Sequence, residues 1–476
     1  MTGRRGATRT EEDSLGTLEV PRDVYWGVHT ARALTNFPVS GRPISVHPDL
    51  VRSLALVKRA AARANAATGV LDARKAEAID RAAREIAGGA LHHQFVVDVV
   101  QGGAGTSTNM NANEVIANRA LELLGHERGR YDIIHPLDHV NRSQSTNDVY
   151  PTAVKLALIL ALRRLLTEHA RLGASFGRKG EEFAQVVKTG RTQLQDAVPM
   201  TLGQEFTAFA VTLAEDRARL AEAIPLLSEI SLGATAVGTG ITASRSYTAQ
   251  VRQELAAVTG LDLTTAADLI EATSDTGVFM LVSGLLKRAA TKLSKIASDL
   301  RLLSSGPQWG LGEISLPPRQ AGSSIMPGKV NPVIPEVMNQ VAFSIAGADV
   351  TVTMAADNGQ LQLNAFEPII AHSLLEGLGW LTHACETFRE NCVDGIRANE
   401  QRLAESASSS VGIVTALTPR IGYTRAALLA RTALTDGRDI RSLVLDLELL
   451  SAQEFDELTR PERPAGPVPG PMSGSQ

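Results

Sequence analysis

FMLVSGLLKRAATKLSKIASDLRLL, residues 279–303, is the most regular stretch of the chain. Its apolar residues recur in steps of three and four: Phe279, Val282, Leu286, Ala289, Leu293, Ile296, Leu300 and Leu303. This heptad seam predicts a long helix that packs along parallel or antiparallel helical partners. The pattern alone leaves open whether the seam lies in an internal bundle core or at a subunit interface.

The rest of the chain also favours helix. Residues 50–66 and 73–87 combine alanine, charged residues and helical spacing. Residues 1–11 are polar and punctuated by glycine, which predicts a flexible N-terminus. The segment PERPAGPVPGPMSGSQ (461–476) is rich in Pro, Gly and Ser and predicts a disordered tail. We therefore predict a mainly α protein with a flexible N-terminus and a disordered C-terminal tail.

Composition excludes several classes of function. The 476 residues are 44% hydrophobic and 21% charged, which is enough apolar material for a large core. A net charge of −4 and 4% aromatic residues give no basis for binding nucleic acid or an anionic membrane. The apolar run in residues 153–166 is interrupted by Lys155 and closed by Arg163 and Arg164, so it predicts a core helix, not a bilayer span.

The two cysteines, Cys385 and Cys392, are seven residues apart. On a helix this spacing is roughly 10 Å along the axis, which is too far for a disulfide. There is no second pair to complete a zinc site. We expect both side chains to be buried and the protein to be cytoplasmic.

Four clusters of small polar residues interrupt the helical pattern, in residues 102–120, 135–153, 188–206 and 321–332. Their candidate site residues are Thr106, Ser107, Thr108, Asn109, Ser143, Ser145, Thr146, Asn147, Thr192, Gln193, Ser323, Ser324, Lys329 and Asn331. Hydroxyls and amides with a single lysine suit a small anion rich in oxygen, because they bind carboxylates without burying many cations. Taken singly, each cluster could instead supply only a helix N-cap.

Other kinds of site are not supported by the sequence. The segment LGATAVGTG (232–240) lacks the Gly-Lys-Ser/Thr ending of a phosphate loop. His135 and His139 are separated by Pro136, so capping or surface roles are favoured and no metal or cofactor is predicted. Without a serine triad, Ser323 is best interpreted as a base that acts without histidine, its alkoxide stabilised by loop N–H groups and a nearby lysine.

The sequence GSSIMPGKVNP (322–332) resembles the signature of the aspartase/fumarase superfamily. The N-terminal pattern of that family is also similar, and the other three clusters correspond to its remaining active-site regions. The N-terminal matches are Pro21, Tyr25, Gly27, Thr30, Arg32, Asn36 and Phe37. The resemblance covers nearly the whole chain.

Within the superfamily, the motifs look like those of the aspartate ammonia-lyase branch. Gln193 stands where fumarases carry a histidine that is thought to pair with a glutamate, here matched by Glu336. Glutamine cannot act as a general base, so hydration is disfavoured. The alternatives are a class II fumarate hydratase, a related lyase of C4 dicarboxylates, and a non-enzymatic relative of the crystallin kind.

The resemblance implies elimination of ammonia from L-aspartate to give fumarate through an enediolate (aci-carboxylate), with Ser323 as the base. The implied contacts to the amino group are Thr106, Asn147 and Gln193. Those to the α-carboxylate are Thr192, Lys329 and Asn331. Those to the β-carboxylate are Ser145, Thr146 and Ser324. No cofactor or metal is implied.

The resemblance also implies a three-domain subunit with a central long-helix bundle shared in a homotetramer, each active site drawing on three subunits. On this basis the 279–303 seam is expected at the subunit interface. The expected divisions are a flexible N-terminus (1–11), an N-terminal domain (12–145), a central helical domain (146–400), a small C-terminal domain (401–460) and a disordered tail (461–476).

Overall fold

A computed structural model of the chain describes residues 7–322 and 324–461. Ser323, the predicted base, lies outside the described residues, as do residues 462–476 of the predicted disordered tail.

Helices dominate the described residues, and the mainly α prediction is confirmed. They are α1 (Val28–Asn36), α2 (Pro48–Ala67), α3 (Ala73–Ala87), α4 (Thr106–Leu123), α5 (Thr146–Glu182), α6 (Leu202–Ala221), α7 (Ala223–Leu227), α8 (Arg245–Thr259), α9 (Glu271–Ser274), α10 (Gly277–Leu303), α11 (Val333–Asp357), α12 (Glu367–Asn391), α13 (Glu400–Ser409), α14 (Val414–Ile421), α15 (Tyr423–Asp436), α16 (Ile440–Asp446) and α17 (Ala452–Leu458). No helix in this part of the chain combines the length and apolar character that crossing a membrane would require.

The strands are short and form two-stranded sheets. They are β1 (Thr8–Asp13), β2 (Gly16–Pro21), β3 (Val187–Thr192), β4 (Gln195–Thr201), β5 (Glu229–Ile230), β6 (Thr264–Thr265), β7 (Ile314–Ser315) and β8 (Arg397–Ala398). The pairs β1–β2, β3–β4 and β7–β8 are antiparallel, and the pair β5–β6 is parallel.

The prediction of a flexible N-terminus over residues 1–11 is wrong for residues 8–11, which lie in β1. Arg9 anchors this strand, because its guanidinium donates to the carbonyl oxygens of Val24 and Trp26 at 2.9 and 2.7 Å and to Glu11 at 2.7 Å. Polar composition suggested a loose segment, but the buried Glu11 and its arginine partner hold the strand in place.

The chain divides into two compact units that are each assembled from separate segments. Unit 1 contains residues 1–168, 216–291 and 340–383, and unit 2 contains residues 169–215, 292–339 and 384–476. Within unit 2, α14–α17 share a hydrophobic cluster that includes Leu417 and Val444, both fully buried. The three-domain boundaries given above stay a prediction.

The 279–303 seam lies within α10, and its helical prediction is confirmed. Its assignment to a subunit interface is wrong, because every seam residue is already buried by this one chain. Phe279, Val282, Ala289 and Leu293 are each 1% exposed, and Leu300 is fully buried. The seam is therefore internal core, the alternative that the heptad pattern left open.

Both cysteines are buried and neither forms a disulfide, as predicted.

Candidate active site

The first cluster lies where α4 begins. Thr106 is the first residue of this helix, and its hydroxyl donates to the carbonyl oxygen of Gly103 at 2.7 Å. The preceding Gly105 has a φ of +84°, and a Cβ there would lie 2.5 Å from the ring of Tyr150 on α5. Only glycine allows this close approach. The start of α4 is thereby fixed against α5, with Thr106 exposed.

Asn109 connects the first cluster to the second. Its amide nitrogen donates to the hydroxyl of Thr146 and to the amide oxygen of Asn141, both at 3.1 Å. Asn109 is almost fully buried, and a buried amide holds its partners firmly because unmaking its hydrogen bonds is costly. The structure therefore brings Thr106 and Thr146 onto neighbouring helix starts.

The second cluster occupies the start of α5. Ser145, Thr146 and Asn147 are half-buried there, and the backbone N–H of Asn147 donates to the hydroxyl of Ser145 at 3.3 Å. The buried carboxylate of Asp148 accepts from the backbone N–H of Ser145 at 2.9 Å and from that of Gly233 at 2.8 Å. Burial raises the pKa of Asp148 to about 6, an effect that these two hydrogen bonds oppose.

A buried lysine lies behind these two clusters. The ammonium of Lys58 donates to the side-chain oxygens of Asn141 at 2.9 Å and Gln144 at 3.0 Å. Burial lowers the pKa of Lys58 to about 7, and the charge of Asp148 opposes that shift. Lys58 thus supports Asn141, which in turn accepts from Asn109.

The third cluster was expected at a loop–helix junction, but it lies on the β3–β4 hairpin. Thr192 ends β3 opposite Gln195, and Gln193 and Leu194 form the two-residue turn. Both turn residues have positive φ, +52° and +62°, as a tight hairpin turn requires. Gly190 and Pro199 interrupt the alternation of apolar and polar residues in this segment, so its pattern does not predict strands.

The hairpin is held at its base by buried ion pairs. Lys188, only 2% exposed, contacts the carboxylates of Glu205 and Glu313, each at 2.7 Å. Arg191 pairs with the other oxygen of Glu313. These charge-assisted contacts fix the strands while the side chains of Thr192 and Gln193 stay exposed at the tip.

The fourth cluster leads into α11, and two of its candidate site residues line a cavity of about 520 Å³. Lys329 and Asn331 lie in this cavity with Glu336, Arg301 and Asn399. The N-terminus of α11 follows Asn331 after one residue, and the helix dipole adds positive potential there. The lysine, the arginine and the two amides outnumber the one carboxylate of Glu336, so the cavity is suited to a carboxylate ligand.

Arg301 and Asn399 were not predicted as site residues. Arg301 is in the last turn of α10 and donates to the side-chain oxygen of Asn339 at 3.2 Å. Arginine at a helix C-terminus has an ordinary electrostatic explanation, so the sequence offered no signal of a further role. Asn399 donates to the carbonyl oxygen of Gly312 at 2.7 Å and has no motif around it.

The predicted residues thus fall into two groups. Unit 1 holds Thr106 and the Ser145–Asn147 segment on adjoining helix starts. Unit 2 holds Thr192 and Gln193 on a hairpin, and Ser324, Lys329 and Asn331 on the segment before α11. Of these unit 2 residues, all of them described, only Lys329 and Asn331 line the cavity.

The histidines near the second cluster have capping roles, as predicted. The ring Nδ1 of His135 accepts from the backbone N–H groups of Leu137 and Asp138, each at 3.2 Å. In residues 7–322 and 324–461 no group of three or more His, Cys, Asp or Glu side chains is placed to hold a metal ion.

Comparison with known proteins supports the resemblance. A family model described as lyase matches residues 16–347, and one described as fumarase C C-terminus matches residues 413–463. The chain belongs to the aspartase/fumarase superfamily of lyases.

Members of this superfamily match over almost the full length. The chain is 56% identical to an aspartate ammonia-lyase of Pseudomonas canavaninivorans, covering 96% of this chain and 97% of that protein. It is 50% identical to an aspartate ammonia-lyase of Escherichia coli strain K12, covering 94% of each.

Solved structures of superfamily members have the same fold. A fumarate lyase:delta crystallin structure from Brucella melitensis, bound to cobalt, has a TM-score of 0.93 and 55% identity, covering 95% of this chain and 98% of that one. A class II fumarase from Schistosoma mansoni has a TM-score of 0.91 at 36% identity, covering 96% and 98%. The predicted fold class is thereby confirmed.

Proposed function

We propose that the protein is an aspartate ammonia-lyase, which eliminates ammonia from L-aspartate to give fumarate. The observation that carries the proposal is the cavity that places Lys329 and Asn331 beside a helix N-terminus, in a chain about half identical to relatives named aspartate ammonia-lyase. An ammonium and a guanidinium group beside neutral amides suit a small dicarboxylate.

Gln193 supports deamination over hydration. Adding water to fumarate needs a group that can take a proton from water, and an amide cannot do so. An exposed amide at a fixed hairpin tip can instead accept a hydrogen bond from an ammonium group. A class II fumarate hydratase is therefore the disfavoured alternative.

The proposed reaction begins when the Ser323 alkoxide takes the proton from C3 of L-aspartate. The electron pair of that C–H bond moves into the β-carboxylate and forms an aci-carboxylate dianion. The C–N bond then breaks, ammonia leaves, and the carbon–carbon double bond of fumarate forms. The rate arises from hydrogen bonds that strengthen as charge develops on the β-carboxylate.

The proposed binding roles are those that the family resemblance implies, and residues of both groups contribute to them. The amino group contacts Thr106, Asn147 and Gln193. The α-carboxylate contacts Thr192, Lys329 and Asn331. The β-carboxylate contacts Ser145, Thr146 and Ser324. The buried Asn109 supports this scheme, because it holds Thr146 in place from behind.

A homotetramer with shared active sites is part of the proposal. The apolar side chains of Phe343, Val350 and Met354 on α11 are 67%, 58% and 63% exposed in the single chain. Their spacing of seven and four residues puts them on one helix face, which we call the α11 stripe. A second copy of the chain is its proposed occupant, since heptad spacing suits an equivalent helix.

We also propose a cytoplasmic location, which the absence of a disulfide between the two buried cysteines supports.

The deciding experiment offers the purified protein L-aspartate and, separately, L-malate and follows fumarate by absorbance. Turnover of L-aspartate without turnover of L-malate is expected. Turnover of L-malate alone would assign the protein to the hydratases, and no turnover of either would favour a non-enzymatic role. Ser323→Ala should abolish deamination, with Ser408→Ala, an exposed serine on α13, as the matched control.

A further inference from the structure

A second cavity, of about 600 Å³, lies in unit 1 between α8 and the glycine-rich segment before it. Its walls include Gly233, Arg245, Thr248, Arg252, Thr265 and Leu269. This volume is within the range of small-molecule sites. None of its lining residues belongs to the proposed substrate contacts.

The cavity is positively charged. Arg245, Thr248 and Arg252 are three and four residues apart, so they lie on one face of α8. The two arginines are separated by seven residues, roughly 10 Å along the helix. No carboxylate of the described chain lines the cavity with them. Arg252 donates to the carbonyl oxygen of Leu263 at 3.1 Å, which employs one of its five N–H groups.

The glycine-rich wall gives the cavity a fixed shape but few donors. Gly233 has a φ of +95°, and a Cβ there would lie 2.4 Å from the hydroxyl oxygen of Thr248, so the segment packs tightly on α8. The backbone N–H groups of Gly238, Thr239 and Gly240 donate within the segment itself. This wall therefore cannot cradle a phosphate with its backbone, and an anion would be bound by the guanidinium groups.

The cavity adjoins the second cluster of the candidate active site. The backbone N–H of Gly233, a wall residue, donates to Asp148 at 2.8 Å, and the other oxygen of Asp148 accepts from Ser145. Asp148 thus links Gly233 in the cavity wall to Ser145 in the second cluster. The cavity itself contains none of the proposed substrate-contacting side chains.

We propose that this cavity binds a small molecule with two separated anionic groups, one on Arg245 and one on Arg252. Guanidinium groups bind carboxylates and phosphates with the same paired geometry, so a diphosphate and a dicarboxylate share the required chemistry. The apolar Leu269 and the small wall residues accommodate the part of the ligand between the two charges.

The test is calorimetric titration of the full-length protein at low ionic strength with two probes, pyrophosphate and succinate. Saturable binding of pyrophosphate, of succinate or of both is expected, and which probe binds identifies the source of the anionic groups. The variant Arg245→Ala/Arg252→Ala should raise the Kd by roughly 100-fold, since each charged hydrogen-bonding partner contributes roughly tenfold or more. Arg425→Ala/Arg431→Ala, two exposed arginines on α15, is the matched control and should bind as the parent does.

Two further readouts separate this site from the active site. Arg245→Ala alone leaves the bond of Arg252 to Leu263 intact, so it should fold normally and still weaken binding by about tenfold. The double variant should retain deamination of L-aspartate. Equal affinity in the parent and the double variant, or no binding of either probe to the parent, would overturn the proposal whether or not the protein deaminates L-aspartate.

Discussion

Gln193 combines an uncommon backbone conformation with an exposed amide. Its φ of +52° is unfavourable for a residue with a side chain, and the φ of +62° at the adjacent Leu194 is equally unfavourable. Such strain costs of order 1 kcal/mol or more per residue and persists where surrounding structure enforces it. The buried ion pairs of Lys188 and Arg191 at the hairpin base provide that enforcement.

Gln193→Ala should lower kcat/KM for L-aspartate by roughly 10- to 100-fold, because the ammonium group loses one hydrogen-bond partner. The melting temperature should change little, since the side chain is exposed. Leu194→Ala is the matched control on the same turn and should keep near-parental kinetics. Equal losses in both variants would show that the turn conformation matters and the amide does not.

Lys58 should make the free energy of unfolding depend on pH. Its pKa is about 7 in the folded protein against 10.5 for an exposed lysine, because burial disfavours the charge. Between these values the unfolded chain binds the extra proton, so the contribution of Lys58 to stability rises with pH. It is lowest below pH 7 and fully recovered above pH 10.5.

The parent protein should therefore gain stability relative to Lys58→Met as the pH rises from 7 toward 10, by at most about 1.4 kcal/mol per pH unit. Urea unfolding of both proteins at pH 7, 8 and 9 measures this difference. Subtracting the variant removes the contributions of the titrating groups that do not interact with Lys58, and at pH 7 and above Asp148, with a pKa of about 6, is mostly ionised in the parent. A difference that stays constant with pH would mean that Lys58 is charged in the folded protein.

At the scale of single elements, α4 has a glycine just beyond each of its two ends. Gly105 precedes the helix and Gly125 follows it, and both have positive φ, +84° and +83°. A Cβ at Gly105 would meet the Tyr150 ring at 2.5 Å, whereas a Cβ at Gly125 would meet nothing within 4 Å. Substituting each glycine in turn therefore distinguishes the cost of backbone strain from the cost of a steric clash.

Gly125→Ala should cost about 1 kcal/mol of stability from backbone strain alone. Gly105→Ala should cost distinctly more, about 2–4 kcal/mol, because the Tyr150 ring is fully buried and cannot move away. It should also lower kcat, since Thr106 would shift with the start of α4. Chemical denaturation and steady-state kinetics of both variants check this, and equal stability losses would refute the steric argument.

Sequence periodicity identified elements better than it identified their partners. The seam of α10 fixed a long helix between residues 279 and 303, and the structure places that helix at Gly277–Leu303. The same pattern could not tell whether Leu286 meets its own chain or a second copy, because both surroundings are equally apolar. Only the folded chain shows that Leu286 is 2% exposed.

The sequence predicts those candidate site residues that stand close together within one segment. It does not predict contacts between residues that are far apart along the chain. The polar clusters that contain Thr106, Asn147 and Lys329 stand out within short segments. The support that Lys58 gives to Asn141 spans 83 residues, and no spacing rule connects them. Arg301 reaches the Lys329 cavity only through the tertiary fold.

At the scale of the whole molecule, the α11 stripe is the surface that a second chain should cover. Phe343→Asp should weaken assembly, because burying a carboxylate without a partner costs several kcal/mol. Sedimentation should show dissociation of the proposed tetramer, together with loss of deamination. Thr424→Asp, an exposed position on α15, is the matched control and should leave the assembly intact. An active tetramer of Phe343→Asp would place the interface elsewhere.

Sharing of active sites between chains can be tested by mixing inactive variants. Asn147 and Lys329 lie in different compact units, whereas Lys329 and Asn331 line one cavity of a single unit. If Asn147 and Lys329 reach each active site from different subunits, mixed tetramers of Asn147→Ala and Lys329→Ala contain intact sites. Random assembly of equal amounts makes about one quarter of the sites intact, one half times one half.

Co-expression of these two variants should therefore restore deamination to about a quarter of the parental rate, although each variant alone is nearly inactive. Co-expression of Lys329→Ala with Asn331→Ala is the control and should restore no activity. Both residues line the same cavity of one chain, so every chain of either variant carries a defect in its own cavity. Recovery is measured as fumarate formed per milligram of mixed tetramer. Absence of recovery in the first pair, with tetramers of normal size, would place Asn147 and Lys329 of each site in the same subunit.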